Sequence, residues 1–310
     1  MTGGYGNLGS GYASAVGGGY GNTNLSDFAT VGGGYANTSS GDYATVAGGS
    51  GNTSGRYGAT VGGGQQNTGG NAFATVGGGQ QNSGSGWWST VGGGGNNNSG
   101  GDSATVGGGS DNRAGGGAAT GPGGFQNSAD GKYSFAAGNR AQALHDGSFV
   151  WGDSTAAAVA STNADSWTVR AGGGLRFFSD PTASVGVQLP PGANAWSAMS
   201  DRNVKENFKP VDPRAVLEKL TRLPVTEWNL LSQPARIRHI GPMAQDFAMA
   251  FEVGEDDRHI STTDADGIAL AAIQGLNQKL EEEVKTKEAR ILKLEKDVAE
   301  LKAMMASLLR

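Results

Sequence analysis

Few residues in this chain are equipped for covalent chemistry. It contains no cysteine, which removes disulfides, Cys-ligated zinc and thiol catalysis. His145 and His259 have no partner at a telling spacing, and His239 taken alone reads as structural. Acidic residues of the first half, such as Asp27, Asp42 and Asp102, are scattered turn positions rather than the carboxylate pair of a glycosidase. What remains is Ser200 and Lys205, five residues apart. A serine hydroxyl is a poor nucleophile until a base removes its proton, and Ser-Lys pairs are a known variant of the catalytic triad. An ordinary lysine amine titrates near 10.4, and making it a base at neutral pH costs about 4 kcal/mol of desolvation. The spacing is common by chance, so its meaning depends on the elements around it.

Those elements begin with a repeat. The chain has 310 residues, 56 of them glycine, far above ordinary usage. Val16, Val31, Val46, Val61, Val76, Val91 and Val106 fall on one 15-residue register. The register continues, more weakly, through Gly121, Ala136 and Trp151. Six residues after each valine is an asparagine, from Asn22 to Asn127, and Asn7 extends that column backwards. Met1 then takes the valine slot, so the array is expected to begin inside a coil rather than on a cap.

Each coil reads as two short strands and two turns. The A-T-V triplet is a strand with Ala29 and Val31 on one face and Thr30 on the other. The following G-G-G permits positive φ and a close turn. The N-x-S/T-G stretch reads as the second turn, with Asn tolerating the left-handed region. Stacked in register about 4.8 Å apart, roughly nine coils give a shaft of about 40 Å. One coil buries too little apolar area to offset the cost of ordering its backbone. It needs neighbours along the stack and partner chains beside it. The column three residues before each valine holds Phe28, Tyr43, Phe73, Trp88 and Tyr133, a ladder best read as packing.

The repeat resembles the head repeats of trimeric autotransporter adhesins over residues 1–155. That resemblance implies a left-handed parallel β-roll of three chains, without the adhesins' membrane anchor. Calcium-binding rolls use a nine-residue Asp-bearing period instead, and collagen needs glycine at every third residue. An ice-binding face is expected to need two outward threonines per strand. Here Thr30, Thr45, Thr60, Thr75, Thr90 and Thr105 form a single column.

After Trp151 the pattern changes. Residues 152–164 read as a linker, and the segments through 199 as a neck of short intertwined strands. From Ser200 charge rises and helical periods appear. Three segments follow in order: SDRNVKENFKPVDPRAVLEKLTRLPVTEWN, RIRHIGPMAQDFAMAF and DGIALAAIQGLNQKL. Val211 to Leu223 carries one amphipathic helix and Pro242 to Phe251 a second. Together the segments resemble the intramolecular chaperone domain of endosialidases and other phage tail spikes over residues 199–280. The resemblance implies a domain that trimerises, guides folding of the upstream β-structure and then cuts itself off. It implies Ser200 as nucleophile, Lys205 as base, Ser200–Asp201 as the scissile bond, and His239 and Gln245 as supporting residues. Burial in the assembled trimer is expected to supply the desolvation that the lysine needs.

Residues 273–310 read as a coiled coil. Val284, Ile291, Val298 and Met305 occupy one heptad position, and Ile273, Leu280, Leu294, Leu301 and Leu308 the other. Asn277 and Lys287 interrupt the seam. β-branched residues opposite leucine formally favour dimers. Both resemblances imply a trimer instead.

The sequence therefore points to a fold in three parts. A mostly β first half, a trimeric parallel β-roll, occupies 1–155 and is followed by the neck at 156–199. An α-rich α+β chaperone domain occupies 200–272 and ends in the coiled coil. The expected function is a homotrimeric fibre or tail-spike-like protein, an enzyme only in cutting itself. An uncleaved bacterial surface adhesin with a permanent trimer cap and a glycan-degrading spike are the alternatives. The expected partners are copies of itself and a host surface or glycan receptor. No cofactor or metal is expected. A net charge of −5 gives no nucleic-acid footprint. No apolar run is long enough to insert into a membrane and no signal peptide follows Met1, so a virion tail or a bacterial surface is the expected location.

Overall fold

The computed structural model describes residues 3–308; Met1 and the valine slot assigned to it lie outside them. The chain divides into one unit of Met1–Phe177 with Gln188–Ser197 and another of Phe178–Val187 with Ala198–Arg310.

The first unit is a parallel β-solenoid. Each coil gives one two-residue strand to each of two sheets. One ladder runs from Leu8–Gly9 to Val159–Ala160 and the other from Ala15–Val16 to Trp167–Arg170. The pairing is parallel and advances by one coil: Thr30 pairs with Thr45, Val31 with Val46, and Thr38 with Thr53. Ala29 and Val31 are fully buried while Thr30 is half-buried on the outer side, as strand alternation requires. The interior is a column of Val31, Val46, Val61, Val76, Val91 and Val106, lined by alanines and small polar residues.

The asparagine column corrects the reading of the second turn. Asn37 is fully buried and leads into a strand at Thr38–Ser39. The left-handed residue is the one before it, Ala36, at φ 52°. The Asn37 side-chain amide donates to the carbonyls of Gly33 and Gly49, each at 2.8 Å. Its Oδ1 accepts the backbone N–H of Asn52 at 3.0 Å. The same three bonds recur at Asn52, Asn67, Asn82 and Asn97. Each side chain thus partners the first carbonyl and the next asparagine's N–H, and adds a second donor to the next coil's glycine carbonyl, which already accepts a backbone N–H.

The third glycine of each G-G-G is required twice over. Gly34 and Gly64 have φ of +96° and +86°, and a Cβ on either would collide with the carbonyl oxygen of the next coil's glycine. The aromatic column is left-handed too, with Phe28, Tyr43, Phe73 and Trp88 at φ between 54° and 59°. These rings stack along the shaft, Phe28 on Tyr43 at 4.9 Å and Phe73 on Trp88 at 6.0 Å. Tyr57 fills the gap where Gly58 takes the column.

The regular register breaks after Gly121. Gly124 pairs with Gly138 and Phe135 with Phe149, one residue short of the earlier period. The interior slot opposite Ala136 therefore holds Val150, which is fully buried, and not Trp151, which is 37% exposed. Residues 152–164 are not a linker. They lengthen one coil, so that Phe149 pairs with Trp167, and they contribute the strand Val159–Ala160. The solenoid accordingly has about eleven turns rather than nine. The neck adds short strands at Leu175–Phe178, Gly186–Leu189 and Ser197–Ala198.

The second unit holds three helices: α1 (Pro213–Arg222), α2 (Ala244–Phe251) and α3 (Thr262–Leu308). Asp212 caps α1 by accepting from the N–H groups of Arg214 and Ala215, with Pro213 at its first position. Its core is small: Val216, Phe247, Phe251 and Ala272, with leucines of α1 and Ile260 and Ile268 packed around them. Gly275 lets α1 approach α3, because a Cβ there would strike the carbonyl of Pro213. α3 begins eleven residues before Ile273, where the Ser261 hydroxyl accepts the N–H of Thr263. Along α3 the heptad residues Ile273, Leu280, Ile291, Leu294 and Leu301 are all more than half exposed. No helix among the described residues is long and apolar enough to cross a membrane.

Candidate functional site

Ser200 and Lys205 are brought together by a turn that the intervening residues encode. Arg202–Val204 forms one turn of 3-10 helix. Asp201 caps it, its Oδ1 accepting from the backbone N–H and the side-chain amide of Asn203, both at 2.9 Å. The turn closes where the N–H of Lys205 donates to the carbonyl of Arg202 at 3.2 Å. A five-residue spacing is thereby folded back on itself. Lys205 Nζ donates to Ser200 Oγ at 2.6 Å. Both residues are exposed to solvent in the single chain.

This is the geometry a Ser-Lys dyad needs. A nucleophile and its base must lie within hydrogen-bond reach, about 2.6–3.2 Å. With the amine neutral the same contact would reverse, the hydroxyl donating a hydrogen bond to Nζ. Asp201, which the sequence offered only as the residue after the expected cut, shapes the turn that brings Ser200 and Lys205 together. The signal was in the sequence, since Asp is a favoured cap residue.

The two supporting residues sit elsewhere in the same unit. His239 opens the strand His239–Gly241, paired antiparallel with Thr226–Trp228. Its ring lies 4.9 Å from that of Trp228, and its Nε2 is 2.9 Å from Gln233 Oε1. Gln245, in the first turn of α2, is exposed and lines an open cleft with Trp228, Leu231, Met243 and Arg258. Among the described residues neither side chain hydrogen-bonds to Ser200 or Lys205.

The dyad opens the stretch in which comparison with known proteins finds a match. Residues 200–253 match the chaperone of endosialidase family. The matched chaperone segment holds the dyad, α1, both strands of the antiparallel pair and α2, and it stops short of α3. No curated protein gave a match. The segment DGIALAAIQGLNQKL, read above as part of the same resemblance, lies beyond the matched residues, in the first turns of α3.

Proposed function

We propose that the chain is one third of a trimeric, tail-spike-like fibre whose C-terminal chaperone drives assembly and then releases itself at Ser200–Asp201. The observation that carries this reading is the 2.6 Å contact between Lys205 Nζ and Ser200 Oγ inside the matched chaperone segment. Two features support self-association. The apolar stripe of α3 is more than half exposed among the described residues at Ile273, Leu280, Ile291, Leu294 and Leu301. The core of the second unit has only four buried apolar side chains, too few to hold a long helix and two short ones alone.

The chemistry favours cleavage within an assembly. A serine that attacked the carbonyl of its own residue would have to close a four-membered ring. For the Ser200–Asp201 bond the attacking Oγ therefore comes from a neighbouring copy of the chain. Lys205 takes the hydroxyl proton, an ester forms at the carbonyl of Ser200, and the amine of Asp201 leaves with the proton Lys205 returns. Water then hydrolyses the ester. The dyad is exposed in the single chain, and packing of three copies supplies the desolvation that a neutral lysine requires. The fibre serves as a virion tail or surface appendage whose shaft meets a host receptor.

Intact-mass spectrometry tests the reading. A C-terminal piece beginning at Asp201 is expected, absent in Ser200→Ala and in Lys205→Met. A piece beginning at Ser200 would place the cut at the preceding bond, which a serine can attack within its own chain. No piece at all would leave the permanently capped adhesin.

A further inference from the structure

One stretch of the shaft departs from its own repeat. Five and four residues before the core valine, the coils leading to Val46 and Val106 carry Gly41-Asp42 and Gly101-Asp102. Both residues have structural work there. A Cβ on Gly41 or Gly101 would collide with the backbone of the next coil. The aspartate accepts the backbone N–H of the coil before it: Tyr12 to Asp27 at 2.7 Å, Trp87 to Asp102 at 3.0 Å. The second position is Tyr12, Gly117 or Lys132 in coils nearer the ends, and in three consecutive central coils the pair is Arg56-Tyr57, Asn71-Ala72 and Gly86-Trp87. The N–H groups of Asp42 and Tyr57 then have no carboxylate acceptor. Arg56 and Asn71 also stand where most coils use glycine. Nothing in the folding of a coil calls for these departures, since the neighbouring coils form without them.

The departures converge on one place. Arg56, Tyr57, Asn71 and Trp87 line, with Ser40 and Asp42, an open cleft of about 600 Å³. Its two rings are half exposed yet held in position. Tyr57 lies between Tyr43 at 5.3 Å and Phe73 at 5.4 Å, and Trp87 meets Trp88 edge-on at 5.6 Å. They stand two coils apart, about 9.6 Å along the shaft, with the small Ala72 between them. Arg56 makes no ion pair among the described residues.

We propose that this cleft binds an oligosaccharide. A pyranose has an apolar C–H face and a rim of hydroxyls. Tyr57 and Trp87 offer amphipathic platforms for the first. Arg56, Asn71, Asp42 and Ser40 offer the donors and acceptors for the second. Arg56 also suits a carboxylate-bearing sugar. The lining holds one carboxylate, Asp42, whereas glycoside cleavage uses a pair, so the cleft binds its glycan without hydrolysing it. A single-stranded nucleic acid would also stack on the rings, but it needs a basic groove, and the lining has one cation on a chain of net charge −5.

The site rests on the reading of the shaft as surface-presented only for where the glycan is met. Full-length protein is applied to a printed array of neutral and carboxylate-bearing oligosaccharides, with oligo(dT) spotted beside them, and the strongest glycan is then titrated. Tyr57→Asp and Trp87→Asp place there the residue that Asp27, Asp42 and Asp102 supply in other coils, so both variants are expected to fold. Each should weaken binding about tenfold or more, the loss of one stacking contact, and Arg56→Gln should weaken carboxylated glycans most. No glycan signal, a signal confined to oligo(dT), or binding unchanged in the folded Tyr57→Asp/Trp87→Asp variant overturns the proposal. Cleavage at Ser200 is measured on the same samples by mass, so failure here and failure of the proposed function are separate results.

Discussion

Replacing Asn67 tests the buried ladder most sharply, because two readings of that residue predict opposite outcomes. Its side-chain amide donates to the carbonyls of Gly63 and Gly79, both at 2.8 Å, and its Oδ1 accepts the N–H of Asn82 at 2.9 Å. Alanine or glycine there strands the Gly63 carbonyl and the Asn82 N–H, while the Gly79 carbonyl keeps the N–H of Gln65. Each unsatisfied group costs about 1–3 kcal/mol, so the loss is at least about 2 kcal/mol. At about 2–4 °C per kcal/mol for a domain of this size, the melting temperature should fall by roughly 4–8 °C or more. Aspartate should do equal harm at neutral pH, since it keeps the acceptor but sets an anion against two carbonyls. Burial against two carbonyls raises that carboxyl above its unfolded value of about 3.9, so stability should recover in part as pH falls toward about 3.9, when the protonated form can donate again. Gln66, the exposed left-handed residue beside it at φ 55°, should tolerate glycine with little change. The assay is thermal unfolding of the full chain by circular dichroism and calorimetry. If Asn67 were a left-handed turn residue, Asn67→Gly would be neutral or mildly stabilising, and that result would refute the ladder.

Other outcomes follow from the same structure. Gly64→Ala combines a φ of +86° with a collision against the carbonyl of Gly79, so it should break the coil stack locally. Hydrogen exchange should show lost protection confined to the coils around it. Asp153 is held well below the usual carboxylate range, first by the N–H of Gly172 and then by the Arg170 guanidinium. Its clasp on the enlarged last coil is therefore complete at neutral pH and weakens as acid protonates it. Asp153→Asn should make residues 153–172 protease-sensitive at neutral pH, and the parent protein should match it only in strong acid.

Much of the solenoid was legible because its period is covalent: counting residues fixes which side chains share a column. The roles of the columns were harder to read. Asn favours left-handed turns in isolation, and its burial at Asn37 exists only because the next coil supplies Gly49 and Asn52, and the preceding coil Asn22, as partners. Trp151 was placed in the core because counting cannot see that Phe135 pairs with Phe149 one residue early. The Ala/Ser/Thr-rich stretch looked like a linker because it is polar and small, yet Ser161 in it is buried. At the dyad the spacing of Ser200 and Lys205 was plain, but their contact depends on the turn capped by Asp201. The cleft beside Tyr57 and Trp87 was invisible to a reading that averaged the repeats, since its signal is departure from the average.

The tie between assembly and cutting is measured most directly by moving the helix seam and watching the dyad. Leu294→Asp with Leu301→Asp places charges on the exposed apolar stripe of α3 and leaves residues 199–205 unchanged. Native mass spectrometry should then report single chains that stay whole, beside a parent protein that is trimeric and cut at Ser200–Asp201. Single chains that cut as fast as the parent would contradict the account.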